Sequence, residues 1–194
     1  MSCVPYTIVN LDQGTPEWLE WRSQGIGASD APVIVGENPW KSAAQLLDQK
    51  CGNSVVVSNE AMMRGSALEP EARRRFENKL GVTFLPACLQ SSNFEWLRAS
   101  VDGLAVDGSV VVEIKCGESV YKKTFSSGKV PVYYYGQLQH ILAVTGMSVI
   151  DFWCYLPNRP ELHLRVDRDE TYINRMLDLE CRFWETLKAR RMRI

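Results

Sequence analysis

The segment SVDGLAVDGSVVVEIKC, residues 100–116, constrains the fold of this chain more than any other stretch. Two runs rich in β-branched residues flank Asp107-Gly108. This dipeptide is typical of a two-residue hairpin loop, in which both central residues need positive φ. The sequence therefore predicts an antiparallel hairpin whose facing residues have Cβ atoms roughly 4.5 to 5.5 Å apart. Its predicted pairs are Leu104 with Val111 and Asp102 with Glu113.

The second strand of this hairpin carries a cation on the same face as a carboxylate. Side chains alternate across a strand, so Glu113 and Lys115 share one face, whereas Val112 and Ile114 point to the other. Facing carboxylates destabilise a sheet, and a bound divalent metal ion would remove that cost. A solvent-exposed strand face with Lys115 as the ion-pair partner explains the pattern equally well. The preceding apolar run and the close approach that Gly103 allows favour the metal site.

Helix and strand patterns alternate along the rest of the chain. Helices are predicted over residues 16–22, 42–50, 66–81 and 131–144, and a long helix follows Asp169. Another helix start is predicted at Ser29-Asp30. Strand-like segments cover 82–85, 94–101, 149–156 and 162–166. This order predicts one domain over residues 1–194 of the mixed α/β class, with a central mixed β-sheet flanked by helices.

The composition limits the partners that the chain can have. With 22 basic and 23 acidic residues, the formal net charge is -1, so a polyanion must be met by local patches or bound cations. The six cysteines form no C-x-x-C pair and are accompanied by only two histidines, which disfavours a zinc site and predicts reduced thiols. No signal peptide or membrane span is expected. We therefore expect a cytoplasmic protein that does not bind membranes.

A set of motifs connects the hairpin to a known family. Asp102 followed by Glu113-Ile114-Lys115 resembles the core of the PD-(D/E)XK nuclease superfamily. The accompanying motifs are Trp18-x-x-x-Arg22, Gly25-Ile-Gly-Ala-Ser29-Asp30, ENPWKSAAQLLDQKCG, Arg64-Gly65-x-x-x-Glu69, Ser100-Val-Asp-Gly103, Val112-Glu-Ile-Lys-Cys116 and Gly136-Gln-Leu-Gln139. Over roughly residues 15–145 this set resembles the lambda exonuclease (YqaJ-type viral recombinase) family. The chain departs from the superfamily at Val101, a position where the superfamily often has Pro. This residue shapes the strand and does not bind metal.

The resemblance implies both a fold and an activity. The fold would have the restriction-endonuclease-like core. The activity would be a processive, Mg²⁺-dependent 5′-to-3′ exonuclease that digests one strand of linear double-stranded DNA to mononucleotides and leaves a 3′ single strand. The resemblance also implies a homotrimeric ring and a phage single-strand annealing protein as partner, in a bacterial host cell. Another PD-(D/E)XK endonuclease and a non-catalytic DNA-binding recombination scaffold are the alternatives.

The predicted catalytic residues follow from the hairpin and the resemblance together. Asp102 and Glu113 are the expected metal ligands, and the family implies the backbone carbonyl of Ile114 as a third. Oxygen ligands favour Mg²⁺, with Mn²⁺ as a substitute, over zinc. Lys115 is expected to position or help deprotonate the attacking water and to offset phosphate charge. Gln137 resembles a residue that orients water or phosphate, although a hydrogen bond within a half-buried helix face explains it too.

Four further residues have both a functional and a structural interpretation. Glu69 fits a Ser66-x-x-Glu69 capping box, which needs no catalytic role, whereas the family places this Glu at the metal site. Arg22 and Ser29 resemble a pocket for a terminal 5′-phosphate, but a surface ion pair and an ordinary helix N-cap also explain them. Met62 matches the position of an apolar wedge that separates the strands, with packing in the core as the alternative.

Overall fold

The computed structural model describes residues 5–52 and 60–192, and for residues 61 and 62 it describes the backbone alone. Within these ranges the chain forms the strands β1 (Tyr6–Val9), β2 (Ile26–Gly27), β3 (Phe84–Ser91), β4 (Leu97–Ala105), β5 (Val111–Lys115), β6 (Val149–Cys154) and β7 (Leu162–Asp167). It also forms the helices α1 (Pro16–Ser23), α2 (Ala31–Ile34), α3 (Ala43–Lys50), α4 (Glu60–Leu80), α5 (Glu118–Ser127), α6 (Val132–Thr145) and α7 (Glu170–Arg191). Among these described helices, none has the length and apolar character needed to cross a bilayer.

One mixed sheet contains all of these strands. Its order is β1-β3-β4-β5-β6-β7, and the short β2 pairs with β4 beside this path. β5 runs parallel to β6, and β2 runs parallel to β4, whereas the other neighbouring strands are antiparallel. The predicted fold class, a central mixed β-sheet flanked by helices, is therefore confirmed.

Helices cover both faces of the sheet. On one face, α2, α3, α6 and α7 form the larger core cluster, to which the sheet contributes Val111 and Phe152. On the opposite face, α4 packs through the fully buried Ala72 and Phe76 against Val112. Adjacent residues of β5 thus belong to different cores, as the alternation of side chains along a strand requires.

The hairpin has the predicted register but a longer loop. Leu104 pairs with Val111, as predicted. The N–H of Ala105 donates to the carbonyl of Val110 at 2.8 Å, so these residues form the last pair before the loop. Residues 106–109 form that loop, and the predicted two-residue loop is therefore wrong.

The side chain of Asp107 explains the longer loop. Gly108 has a φ of 72°, but Asp107 does not adopt positive φ. Its carboxylate instead accepts hydrogen bonds from the N–H (3.0 Å) and the hydroxyl (2.6 Å) of Ser109. An Asp that bonds the backbone two residues on is a common way to stabilise a turn. Because one residue is added on each side, the register of the strands does not change.

The helix that precedes β3 begins earlier than predicted. α4 is already helical at Glu60, so Ser66 lies inside the helix and the predicted capping box with Glu69 is wrong. Pro70 also lies inside, where it removes the backbone donor for the Ser66 carbonyl. The order Ser, Glu, Pro is typical of a helix start, which is why the sequence pattern misleads at this point.

Three other predicted helix starts are confirmed by their caps. The side chains of Thr15, Ser42 and Asp169 each accept a hydrogen bond from the backbone N–H three residues further along. These bonds satisfy donors that the first turn of a helix leaves without partners. The caps begin α1, α3 and α7. At Ser29-Asp30 the chain forms a short 3-10 turn, Ala28–Asp30, that leads into α2.

Three elements were not predicted from the sequence. β1 and β2 are short, and they are stabilised by pairing with β3 and β4 rather than by their own residue pattern. α5 has the sequence ESVYKKTFSS, in which most residues have low helix propensity. Its buried side chains Val120 and Tyr121 belong to the larger core, so tertiary packing supports this helix.

Candidate active site

The sheet opens between β4 and β5 at the carboxylates. The ladder of these strands ends at the pair Gly103–Val112, one position short of the predicted pair of Asp102 with Glu113. The Asp102 side chain replaces the ladder at this point, because its Oδ2 accepts the backbone N–H of Ile114 at 2.7 Å. One carboxylate oxygen is thereby fixed against the neighbouring strand.

A β-bulge lies at the same position in β4. Leu85 and Ala87 of β3 pair with Leu104 and Val101 of β4, so β4 contains one more residue than β3 between these pairs. Val101 and Leu104 both reach the larger core, although they are three residues apart. The bulge therefore changes the direction of the residues between them, one of which is Asp102. Bulges often re-aim side chains beside active sites.

Glu113 is a buried carboxylate with one free oxygen. It is 2% exposed, and its Oε1 accepts Gln137 Nε2 at 2.6 Å and Lys115 Nζ at 2.5 Å. Its Oε2 has no hydrogen-bond partner. Burial raises the pKa of Glu113 most, the Asp102 carboxylate raises it further, and Lys115 offsets part of this, so the pKa is about 8. Such a carboxylate is costly unless a cation compensates it.

Lys115 lies on the same face as Glu113, as predicted. Its ammonium bonds Glu113 and lies 4.8 Å from the centroid of the Tyr134 ring. Burial lowers the pKa of Lys115, but the carboxylates of Glu113 and Asp102 outweigh it, and the pKa lies above its usual value. The alternative explanation, a solvent-exposed strand face on which Lys115 pairs with the acids, is therefore only partly correct. The ion pair is present, but the prediction of an exposed face is wrong because Glu113 is buried.

Glu69 reaches the same region from α4. It is half-buried, and burial raises its pKa, as does the neighbouring Asp102, against the lowering effects of Lys115 and Arg73. Arg73, one turn further along α4, donates through Nε to the backbone carbonyl of Asp102 at 2.6 Å. This bond anchors α4 to the bulge, so Glu69 faces the carboxylates instead of capping a helix.

Gln137 and Gln139 on α6 have different surroundings. Gln137 contacts Glu113, whereas Gln139 Nε2 donates to the Asp167 carbonyl and its Oε1 accepts the N–H of Asp169, both at 2.9 Å. Residues two apart on a helix do not share a face. The prediction that Gln139 points away from the carboxylates is therefore confirmed, and Gln139 connects α6 to the start of α7.

Five residues from four elements meet at the opening between the strands. We call Glu69, Asp102, Glu113, Lys115 and Gln137 the carboxylate centre. Asp102 likewise has a raised pKa because of burial, despite the opposing effects of Lys115, the Ile114 N–H and Arg73. With three acids and one amine, the centre has excess negative charge when all of them are ionised.

The centre provides oxygen atoms rather than a complete metal cage. Among the described residues, no three His, Cys, Asp or Glu side chains converge closely enough to enclose a metal ion. Mg²⁺ usually binds through one or two carboxylates and keeps several waters, so it needs no such cage. The free oxygen of Glu113 beside Asp102 therefore fits a hard divalent cation.

A second polar cluster contains Arg22 and Ser29, the two residues predicted to bind a terminal 5′-phosphate. The guanidinium of Arg22 on α1 donates to Ser29 Oγ at 2.7 Å, and it lies 4.6 Å from the centroid of the Trp18 ring. Within the described part of the chain, no carboxylate lies within 4.0 Å of Arg22, and the cap of the 3-10 turn is Gly27 rather than Ser29. The structural interpretations of Arg22 as part of a surface ion pair and of Ser29 as a helix N-cap are therefore both wrong.

Lys50 holds this second cluster together, and no sequence motif indicates this role. Its ammonium lies 2.8 Å from Asp30 Oδ2 and donates to the carbonyls of Gly25 (2.8 Å) and Arg22 (3.3 Å). Asp30 in turn accepts the N–H of Gly27 at 3.0 Å. We call Arg22, Ser29, Asp30 and Lys50 the Arg22 pocket. Lys50 ends α3, and a lysine at a helix end is ordinarily explained by the helix dipole.

Two further contributors to the carboxylate centre, Arg73 and Tyr134, were also missed. Arg73 belongs to a run of three arginines on α4, and nothing in the run distinguishes the one that reaches the bulge. Tyr134 belongs to a run of three tyrosines and is distinguished only by its packing against Lys115. The side chain of Met62, the predicted wedge, lies outside the described residues.

A comparison with known protein families identifies the chain. The model of the YqaJ-like viral recombinase domain matches residues 17–148, which include both polar clusters. The chain belongs to this family. YqaJ of Bacillus subtilis strain 168 is 30% identical over 181 residues, which are 90% of this chain and 57% of that protein. A protein of Acanthamoeba polyphaga mimivirus is 29% identical over 163 residues, 75% of this chain and 29% of its own length.

Solved structures show the same fold. The alkaline exonuclease of Laribacter hongkongensis is similar with a TM-score of 0.78 and 27% identity, over 92% of this YqaJ-family chain and 95% of that one. Its complex with dAMP gives a TM-score of 0.80 with 28% identity and the same coverage. A phage-related exonuclease from Haemophilus somnus, at 12% identity and a TM-score of 0.62, covers 86% of this chain and 96% of that chain and shares the fold.

Proposed function

We propose that this YqaJ-family chain is a Mg²⁺-dependent 5′-to-3′ exonuclease that digests one strand of linear double-stranded DNA to mononucleotides. The similar structure from Laribacter hongkongensis is an alkaline exonuclease, and one of its crystals contains dAMP, a mononucleotide. The observation that carries the proposal is the buried Glu113 carboxylate, which has one free oxygen and lies beside the half-buried Asp102.

Each residue of the carboxylate centre has a role in this proposal. Asp102, Glu113 and the Ile114 carbonyl would hold the metal ion, which supplies neutralisation of the phosphoryl charge and an activated water when bound. Lys115 has a raised pKa and stays protonated near neutral pH, so it offsets negative charge on the phosphate and positions the water. Gln137 fixes the orientation of the Glu113 carboxylate through its 2.6 Å hydrogen bond. Glu69 adds a carboxylate from the α4 side.

The Arg22 pocket would bind the terminal 5′-phosphate. A guanidinium can donate two parallel hydrogen bonds to phosphate oxygens, and a nearby hydroxyl adds a further donor. Arg22 and Ser29 are already hydrogen-bonded to each other, and Lys50 with Asp30 holds the loop beneath them. We therefore expect 5′-phosphorylated ends to be digested faster than 5′-hydroxyl ends. Comparable rates on the two kinds of end would contradict this role.

The proposal extends to the assembly and its surroundings. A homotrimeric ring around DNA, a phage single-strand annealing protein as partner, and a place in the cytoplasm of a bacterial host rest on the family resemblance alone. Light scattering of the purified protein tests the trimer, because a monomeric mass would exclude a closed ring. The chain spans 57% of the length of the B. subtilis relative. The assembly, the partner and the location are therefore proposals about this chain and not about that whole protein.

The activity is tested with linear duplex DNA labelled at either the 5′ or the 3′ end of one strand. We expect early release of the 5′ label with Mg²⁺, none with EDTA, and almost none from Glu113→Gln, which keeps the size of the side chain but removes its charge. Covalently closed circular duplex is the control for polarity and end dependence. Cleavage of the circle would indicate an endonuclease, and binding of DNA without digestion would indicate a scaffold.

A further inference from the structure

An exposed tryptophan lies beside the proposed active site. Trp40, in the loop between α2 and α3, is 66% exposed, although burial of an indole ring is strongly favourable. Its loop has a defined turn, in which Asn38 Oδ1 accepts the backbone N–H groups of Trp40 (2.9 Å) and Lys41 (3.0 Å). The exposed position of the ring is therefore part of the structure of the loop.

A row of aromatic rings connects Trp40 with the carboxylate centre. Trp40 meets Tyr133 edge to face with ring centroids 4.8 Å apart, and Tyr133 meets Tyr134 at the same distance. Lys115 Nζ lies 4.8 Å from the centroid of the Tyr134 ring. Lys123 Nζ lies 4.7 Å from that of Tyr133, which adds positive charge along the row. The row begins at the surface and ends at the amine of the proposed catalytic site.

The residue after Trp40 lies close to the Arg22 pocket. Burial lowers the pKa of Lys41, Asp30 opposes this effect, and the cations Lys50 and Arg22 lower the pKa further. Lys41 is therefore within electrostatic reach of the pocket. Trp40 thus contacts the row of rings that ends at Lys115, and it directly precedes Lys41, which is within electrostatic reach of the Arg22 pocket.

We propose that Trp40 and Tyr133 form the stacking surface for the base of the nucleotide that is being released. The inference rests on the proposed function: if one nucleotide has its 5′-phosphate in the Arg22 pocket and its scissile phosphate at the carboxylate centre, its base lies between them. Stacking on an aromatic ring suits every base, because each has a π face. Lys41 and Lys123 provide positive charge for the adjoining phosphates. A second copy of this chain is the competing occupant of the exposed ring.

The test uses a 5′-phosphorylated linear duplex with an unpaired 2-aminopurine as the terminal base, bound in EDTA so that it stays intact. Stacking on an indole ring quenches 2-aminopurine fluorescence, so we expect strong quenching by the wild type and little by Trp40→Ala. Trp40→Phe keeps an aromatic ring for stacking and should bind the probe nearly as tightly as the wild type. Binding measured by anisotropy should weaken about tenfold in Trp40→Ala. Phe125→Ala is the matched control, because Phe125 is 64% exposed but stacks on Tyr121 instead of joining the row.

Each outcome decides the inference. Equal quenching and affinity in the wild type and Trp40→Ala, with normal Mg²⁺-dependent digestion, would overturn the stacking role and leave the proposed function intact. A wild type that neither binds this probe nor digests duplex with Mg²⁺ would overturn both. A lower molar mass of Trp40→Ala by light scattering, at an unchanged melting temperature, would assign the ring to a contact between copies. If Trp40→Ala fails to fold, the affinity of Trp40→Phe decides, since a loss of binding in that variant, which keeps an aromatic ring, contradicts stacking.

Discussion

Two buried carboxylates in this chain look alike at first and differ in their surroundings. Glu113 bonds Lys115 at 2.5 Å, and Glu180 bonds His140 Nδ1 at 2.8 Å. Each has one oxygen without a hydrogen-bond partner, and each is nearly inaccessible to solvent. An unpartnered oxygen is therefore not sufficient to mark a functional site in this fold.

The difference lies in the balance of charge around each acid. His140 also bonds the Arg98 carbonyl at 2.9 Å, and although burial lowers its pKa, Glu180 raises it more, so the pKa lies above its ordinary 6.5. One basic ring is thereby paired with one carboxylate. Glu113 faces two further acids, Asp102 and Glu69, with a single amine. Excess negative charge at an opening in the sheet, rather than burial alone, therefore distinguishes Glu113 from Glu180.

The largest expected effect is the loss of activity in Glu113→Gln. Even residues that only orient metal ligands change activity by about 10- to 100-fold, so removal of a ligand charge should cost more than about 100-fold in the rate of DNA digestion. The stability of the fold should not decrease in this variant. The pKa of Glu113 is raised in the folded state, so its ionisation destabilises the fold as pH increases from 4.5 through about 8, and the uncharged Gln avoids this cost. Label release and thermal melting measure both effects. Strong destabilisation of Glu113→Gln would contradict the difference inferred between Glu113 and Glu180.

Glu180→Gln should show the opposite behaviour. Removing one partner of a buried ion pair leaves the other charge uncompensated, which typically costs about 3 to 5 kcal/mol of the free energy of unfolding. Digestion of DNA at a temperature where the variant is folded should stay close to that of the wild type. Urea denaturation measures the free energy. If activity falls as far as in Glu113→Gln, the two carboxylates do not have the separate roles assigned to them.

The two glutamines of α6 show the same contrast within one helix. Gln137→Ala removes the hydrogen bond that orients Glu113 and should lower activity by about 10- to 100-fold. Gln139→Ala removes the bonds to Asp167 and Asp169 and should cost about 1 to 3 kcal/mol of stability with little effect on activity. Digestion rates and melting curves for both variants test this. The roles would be reversed if Gln139→Ala were the less active of the two.

The smallest expected effect concerns pH. Because the folded pKa of His140 is raised, its contribution to stability is complete below about pH 6.5 and is lost as pH rises through the higher folded value. The free energy of unfolding of the wild type should therefore fall more than that of His140→Gln between pH 6 and pH 9. Denaturant titrations at several pH values measure the difference between the two proteins. Parallel pH profiles would show that His140 is not charged in the fold.

Local patterns predict much of the fold and fail at identifiable places. Helix starts with a side-chain cap, such as Thr15 and Asp169, were predicted because the cap is a local hydrogen bond. The sequence pattern places the start of α4 too late, because Ser66 and Pro70 resemble a helix start but lie inside the helix. β1 and α5 depend on pairing and packing with distant residues, which no local pattern records.

The candidate site shows the same division. The alternation along β5 correctly places Glu113 and Lys115 on one face, because that depends only on strand geometry. The bulge at Asp102 and the anchor from Arg73 come from register and from a helix far away in the sequence, so they could not be predicted. Glu113 and Gln137 are connected only because α6 packs against the face of β5 that carries the acid.

The most direct test is binding of Mn²⁺ to the protein without DNA, followed by the electron paramagnetic resonance signal of the free ion. We expect the wild type and Glu180→Gln to bind Mn²⁺ with similar affinity and Glu113→Gln to bind it far more weakly, because the carboxylate centre has uncompensated negative charge and the Glu180–His140 pair does not. Equal binding by Glu113→Gln and the wild type, or no binding by the wild type, would contradict the assignment of the opening between β4 and β5 as a metal site.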